Sequence, residues 1–257
     1  MRVFAISDVH VDYPGNAEWV DGLSTLDYVD DLLILAGDVS DVPARLGETF
    51  AAVTRRFRAV HYVPGNHDLW VRRCGHRNSL EKFESVLRIA REHGVHHTPC
   101  QYPGLVVVPL FGWYDDSFGA PSTILKRQWM DFRACRWEGR SDAEVTTHFL
   151  DLNQTAVQAM VAVQGAPTVV SFSHFLPRID VMPSYIPERF RMLYPVLGSD
   201  RLDQQVRALG SSVHVYGHSH VNRDIYLDGR RYINNALGGP SETRICAREL
   251  LCVYEAP

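Results

Sequence analysis

The sequence predicts an α/β protein, and three observations carry that expectation. Short β-branched apolar runs alternate with segments of helical periodicity. Each apolar run stops at a cluster of Gly, Asn, Asp or His. Toward the C-terminus the alternation gives way to paired strand-like runs around a tight turn. Taken in order, Arg2 to Ser7, Asp31 to Ala36 and Ala59 to Val63 are near-continuous apolar stretches of strand length, and Thr168 to Phe172 and Ser212 to Tyr216 repeat the arrangement. Helices are predicted over Pro43 to Phe57, over Leu80 to His93 behind an Asn78/Glu81 capping signal, and after Ser141. There Ser141 and Glu144 form a capping box, and an apolar face runs through Val145, Phe149, Leu152, Ala156, Met160 and Val163. Asn222 to Leu227, the Asp228–Gly229 turn and Arg230 to Asn234 read as a hairpin, with a last strand near Cys246 to Tyr254. A second, antiparallel-rich sheet is therefore expected. Gly112 to Gly139 and Phe175 to Gly198 lack periodicity, as functional loops or unrecognised elements do. No repeat or linker interrupts the pattern, and one domain over residues 1–257 is expected.

Composition narrows the function. The chain has 26 Lys+Arg against 30 Asp+Glu, a formal charge of −4, and 46% apolar residues, enough to build a core and to exclude disorder. Mild acidity without a charge block argues against broad capture of nucleic acid or of an anionic membrane. The longest apolar stretches, such as Leu32 to Ala36, fall far short of the roughly 18 to 20 residues that cross a bilayer. Met1-Arg2-Val3 enters a strand-like run at once, so neither membrane anchor nor signal peptide is expected. Cys74, Cys100, Cys135, Cys246 and Cys252 are scattered, with no C-x-x-C. They read as reduced thiols, and the expected compartment is the cytoplasm.

The chemistry sits where the strands stop. Asp8-Val-His10 follows the first run, and chance alone yields roughly one D-x-H in a chain of this composition. Gly37-Asp38 follows the second and is equally bland by itself. Gly65-Asn66-His67-Asp68 follows the third, with a chance expectation of roughly 0.002. His174 ends the fourth, and Gly217-His218-Ser219-His220 ends the fifth. Ligands bind at the carboxyl ends of strands in open α/β sheets, so these groups can converge on one cleft. Imidazoles and carboxylates are ligands for Zn, Mn or Fe. Asp8, His10, Asp38, Asn66, His174, His218 and His220 make seven candidates, more than one catalytic ion needs. A carboxylate such as Asp38 can bridge two ions about 3.5 to 4 Å apart, a spacing suited to phosphoryl displacement.

In the order D-x-H, G-D, G-N-H-[DE], H and G-H-x-H, the sequence resembles the calcineurin-like metallophosphoesterase superfamily from Asp8 to His220. The resemblance implies a four-layer α/β/β/α sandwich and two divalent or trivalent transition-metal ions, Mn, Fe or Zn. It implies one metal on Asp8, His10, Asp38 and His220 and a second on Asp38, Asn66, His174 and His218. His67 matches the family's catalytic histidine, which is not a ligand. The protein serine/threonine phosphatases of the superfamily carry G-D-x-x-D-R-G, whereas this chain reads Gly37-Asp38-Val39-Ser40-Asp41-Val42-Pro43, which speaks against that role. Asp41 keeps the second aspartate, either to orient His67 or to cap the following helix.

The expected reaction is hydrolysis of a phosphoester by a hydroxide bridging the two metals, with His67 as general acid. No Ser or Cys nucleophile is required. Trp113, Tyr114, Trp129 and neighbouring aromatics, interleaved with Arg127, Arg133 and Arg136, suit an organic phosphate with an apolar body. Packing beneath a long loop is the alternative, and residue by residue it is the favoured one. Arg178, four residues after His174, is the favoured phosphate contact. These readings point to a small phosphomonoester as substrate, and nucleic acid is disfavoured as a partner. A phosphodiesterase or nuclease with the same site is the alternative, and a non-catalytic scaffold a more remote one.

Overall fold

In the computed structural model, which describes residues 1–161 and 167–256, the first three predicted strands and the helices between them form two successive β-α-β units. Strand β1 (Arg2–Ile6), helix α1 (Pro14–Asp21), β2 (Leu32–Leu35), α2 (Pro43–Thr54) and β3 (Ala59–Tyr62) lead into α3 (Ser79–Glu92). The capping signals are real: the Asn78 side chain accepts the Glu81 backbone N–H at 2.8 Å, and Pro43 opens α2, where no donor is needed. β1, β2 and β3 run parallel. The last strand, β10 (Leu251–Glu255), closes this sheet antiparallel to β1.

The second sheet has the order β4-β5-β6-β7-β9-β8. Its strands are β4 (Cys100–Tyr102), β5 (Leu105–Pro109), β6 (Thr168–Phe172), β7 (Val213–Tyr216), β8 (Arg223–Leu227) and β9 (Arg230–Asn234). The predicted hairpin β8–β9 is present. Asp228 and Gly229 both adopt positive φ, 50° and 76°, as a two-residue Asp-Gly hairpin turn requires. The expectation of an antiparallel-rich sheet is corrected, however. β5, β6, β7 and β9 are parallel, and antiparallel pairing is confined to the edge strands β4 and β8.

Side-chain alternation makes four layers from these two sheets. Val3, Ala5, Leu32 and Ile34 point inward onto Val107, Val170, Phe172 and Val215, so the sheets bury a common core. Phe4, Ile6, Leu33 and Leu35 point outward onto Leu46, Phe50 and Val86 of α2 and α3. On the opposite outer face Val106, Val108 and Val169 meet α6 (Asp142–Val161) and α8 (Asp200–Ala208) through Leu150, Val157, Leu202 and Val206. The α/β/β/α sandwich is thus present.

In α6 the capping box forms, with Ser141 N–H donating to Glu144 Oε2 at 2.8 Å. The buried face runs through Val145, Phe149, Leu150, Asn153 and Val157, while Leu152 is 45% exposed, off the predicted stripe. The Met160 side chain and Val163 lie outside the described residues. Gly112 to Gly139 and Phe175 to Gly198 contain unrecognised short helices: α4 (Thr123–Gln128) and α5 (Asp131–Ala134) in the first, α7 (Glu188–Arg191) in the second. No helix among the described residues is long and apolar enough to cross a membrane.

Candidate metal centre

The two sheets meet at the carboxyl ends of their strands. Ser7, just past β1, pairs with Ala236, just past β9, and Ser7 N–H donates to Asn235 O at 2.9 Å. That seam brings both sets of predicted ligands to one place. Asp8, His10 and His220 offer donor atoms that lie mutually within 4.8 Å, as do Asp38, His174 and His218. Asn66 Oδ1 lies 3.1 Å from His174 Nε2 and so joins the second group. Asp38 stands between the groups, its Oδ2 at 3.8 Å from His10 Nε2 and 3.5 Å from His174 Nε2.

The backbone is bent to make this possible. Asp8, His10, Asp38, His218 and His220 all adopt the left-handed region, with φ between 43° and 67°. Such a conformation costs a non-glycine residue about 1 kcal/mol or more, and it persists only where surrounding contacts enforce it. Asp68 supplies much of that enforcement. Its buried carboxylate accepts the backbone N–H groups of Asp38, Val39, Ser40 and Gly65, each at 2.9 Å, and the Tyr62 hydroxyl at 2.8 Å. The last letter of the G-N-H-D motif therefore holds the G-D loop against the G-N loop. The motif glycines are needed for close approach. A Cβ on Gly37, itself at φ 84°, would sit 2.5 Å from His174 Nδ1, and one on Gly217 would sit 2.9 Å from Asp8 Oδ2.

Each of three rings is fixed through the nitrogen facing away from the cluster. His174 Nδ1 donates to Ala36 O at 2.9 Å, His218 Nε2 to Val196 O at 2.9 Å, and His220 Nδ1 to Glu242 Oε2 at 2.7 Å. This leaves His174 Nε2 and His218 Nδ1 with lone pairs aimed inward, the tautomers that metal ligation demands, and turns His220 Nε2 toward the cluster, 3.1 Å from Asp8 Oδ1. Asn66 is oriented in the same way: its amide donates to Asp131 Oδ1 at 2.8 Å, which turns Oδ1 toward the cluster. Asp131 also accepts from Trp70 and Trp129. Glu242, Asp131 and the structural use of Asp68 were not among the predicted site residues.

The electrostatics fit a cation. Burial lowers His10 and His218 to about 4 and His174 to about 3, so these imidazoles are neutral donors at physiological pH. Burial also raises the Asp38 carboxyl well above its ordinary range, and the neighbouring carboxylates Asp68 and Asp8 raise it further. At His220 burial opposes charge, yet Asp8 and Glu242 outweigh it and lift the imidazole above its usual value. Crowded buried carboxylates among neutral imidazoles are a donor set whose electrostatic cost positive ions at the centre would relieve.

The predicted catalytic and substrate residues divide differently. His67 lies at the mouth, its side chain 35% exposed, stacked on Trp70 with ring centroids 3.7 Å apart. Its Nε2 faces the centre, 3.9 Å from Asp38 Oδ2. Asp41 neither orients His67 nor caps α2: its carboxylate is taken by the Arg73 guanidinium, and α2 begins without a side-chain cap. Arg178 is also corrected as a phosphate contact. Its Nε and Nη2 bind Asp180 and its Nη1 binds Asp228 at 2.8 Å, so a phosphate would have to displace two carboxylates.

Trp113 and Tyr114 are 0% and 2% exposed and belong to a core cluster with Phe149 and Phe175, which leaves them no access to a substrate. Trp113→Ala is accordingly expected to act on stability, lowering it by about 3–5 kcal/mol. Chemical denaturation would register that loss; a changed substrate ranking with stability intact would return Trp113 to the site.

Comparison with known proteins places this geometry. The family model described as calcineurin-like phosphoesterase matches residues 1–222. Acyl-carrier-protein phosphodiesterase PptH of Mycobacterium tuberculosis is 25% identical over 94% of this chain and 79% of its own length. The crystal structure titled phosphopantetheinyl hydrolase PptH, from the same organism, superposes with a TM-score of 0.81 at 25% identity, covering 100% of this chain and 96% of that one. Purple acid phosphatase PPD1 from yellow lupin (Lupinus luteus) seeds shares the fold at a TM-score of 0.51 and 14% identity, over 91% of this chain and 43% of its own.

Proposed function

The chain belongs to the calcineurin-like phosphoesterase family, and from that premise we propose that it hydrolyses a phosphodiester, the bond joining phosphopantetheine to an acyl carrier protein. The observation that carries this reading is the likeness to the mycobacterial phosphodiesterase along nearly the whole chain, in sequence and in fold. It displaces the small phosphomonoester expected from sequence. That expectation relied on Arg178 to hold the extra charge of a terminal phosphate, and Arg178 is engaged by Asp180 and Asp228.

In this reading Asp8, His10, Asp38 and His220 would hold one divalent or trivalent transition-metal ion, and Asp38, Asn66, His174 and His218 would hold the other. When bound, such ions withdraw charge from the phosphoryl oxygens and lower the pKa of a nearby water. The chain's own residues do the rest. Glu242, Ala36 O and Val196 O lock the imidazoles so that the donors need no reorganisation when the substrate arrives. Trp70 holds the His67 ring at the open side, where its Nε2–H can pass a proton to the departing oxygen. A water oxygen bonds to phosphorus, the bond from phosphorus to the carrier's hydroxyl oxygen breaks, and that oxygen takes the proton. Free phosphopantetheine and the hydroxyl form of the carrier result.

The test is direct. Holo-carrier protein, 4-nitrophenyl phosphate and free phosphopantetheine are offered to the metal-loaded enzyme. Release of the arm, read as the mass lost by the carrier, is expected with a kcat/KM at least about tenfold above phosphate release from either monoester. A faster monoester reaction would overturn the diester reading.

A further inference from the structure

Beside the metal centre lies a groove of about 290 Å³ lined by Leu125, Trp129, Arg189, Phe190, Met192 and Leu193. It connects to the centre twice. The Trp129 ring packs edge-on against His218 at 5.9 Å, and its indole N–H binds Asp131, which orients Asn66. On the other wall, Leu193 O accepts the N–H of Val196, whose own carbonyl holds His218. The surface around the groove is apolar for its position: Ile124 is 60% exposed, Tyr185 73%, Phe190 50% and Met192 42%. Neighbouring exposed apolar side chains of this kind mark interaction sites.

The charge beside this groove is positive. Lys126, Arg127, Arg189 and Arg191 are exposed on α4 and α7, and none forms an ion pair among the described residues. Arg189 lies over the Phe190 ring, and Arg191 bonds only to the backbone carbonyls of Ser184 and Ile186. Glu188 is the one carboxylate on α7, and on the α4–α5 segment Asp131 is buried. Aromatic anchors with unpaired arginines around them are the composition of a protein-binding surface, and positive charge selects an acidic partner.

We propose that this face docks the carrier protein, whose carboxylates meet Lys126, Arg127, Arg189 and Arg191 while an apolar side chain enters the groove, so that the attached arm reaches the metal centre. The proposal rests on the reading of the reaction as cleavage of carrier-bound phosphopantetheine. It makes the groove a determinant of partner choice and leaves the hydrolytic step to the centre itself. A small diester, which has no carrier to dock, is turned over without it.

The test compares wild type with Arg127→Glu/Arg189→Glu and with Arg55→Glu/Arg91→Glu, an equal charge change at exposed positions just past the end of α2 and on α3. Two substrates are used: holo-carrier protein and bis(4-nitrophenyl) phosphate. In the groove variant KM for the carrier is expected to rise about tenfold or more, with kinetics on the small diester within about twofold of wild type, and the salt dependence of KM to flatten. The control variant is expected to match wild type on both. Equal carrier kinetics in wild type and groove variant would overturn the docking site while leaving the reaction standing. A holo-carrier left intact by wild type that cleaves the small diester would overturn both.

Discussion

Asp38→Asn is expected to reduce phosphoesterase turnover by about 10³-fold or more and to strip metal from both positions. The carboxylate stands between the Asp8–His10–His220 group and the His174–His218 pair, so its loss touches both. Asparagine keeps the shape and can still accept the His67 backbone N–H that Asp38 Oδ1 accepts at 2.9 Å, but it loses the charge that cations require. The fold is not expected to suffer. In the metal-free protein Asp38 is a buried acid held above its ordinary range by burial and by Asp68 and Asp8, so its ionised form is a penalty at neutral pH, and that penalty grows as pH rises. The metal-free variant should therefore melt no lower than the metal-free wild type. Elemental analysis beside calorimetry checks both halves: full metal content with unaltered turnover would defeat the dinuclear reading.

The second large effect is expected at His67. His67→Asn should keep metal content and lower turnover by roughly 10² to 10⁴, most for alkoxide leaving groups and least for nitrophenolate, which departs without a proton. Proximity alone would also admit His67 as a ligand, because its Nε2 lies as near Asp38 as that of His10 does. The two roles separate cleanly. A ligand's loss appears in the metal analysis and slows every ester alike, whereas an acid's loss appears only where the leaving group needs protonation. Equal slowing across leaving groups would reject the acid role.

Much of the architecture could be read because β1, β2, β3, β6 and β7 are apolar runs that end abruptly in polar motifs. The same junctions locate the seven candidate ligands. What escaped depends on contacts between distant segments. A hairpin signal reports only that β8 and β9 pair; it cannot reveal that β9 also lies parallel to β7, or that β10 returns to the first sheet. Helix α1 was not among the predicted elements; within it the Asn16 amide donates to Val9 O and to Gly238 O across the chain. Glu242 sits in an aperiodic stretch 22 residues from His220, with no local feature to mark it. Aromatic density between Gly112 and Gly139 was a sound signal with the wrong beneficiary for Trp113 and Tyr114: most of those rings bury one another, and Trp129 is the one that lines a groove next to His218.

The seam that joins the sheets also sets an order of events during synthesis. Asp8, His10, Asp38 and Asn66 belong to the sheet that leaves the ribosome first, whereas His174, His218 and His220 follow strands made more than a hundred residues later. The nascent amino-terminal half has only part of either donor set, and its left-handed loops lack the Gly217 packing and the His218 N–H that later hold Asp8. Tight capture of ions must wait for the second sheet to dock, because binding that depends on a formed site is coupled to folding. Metal occupancy thereby becomes a record of completed assembly: a chain that stops before β7 lacks His218 and His220 and so cannot complete either donor set.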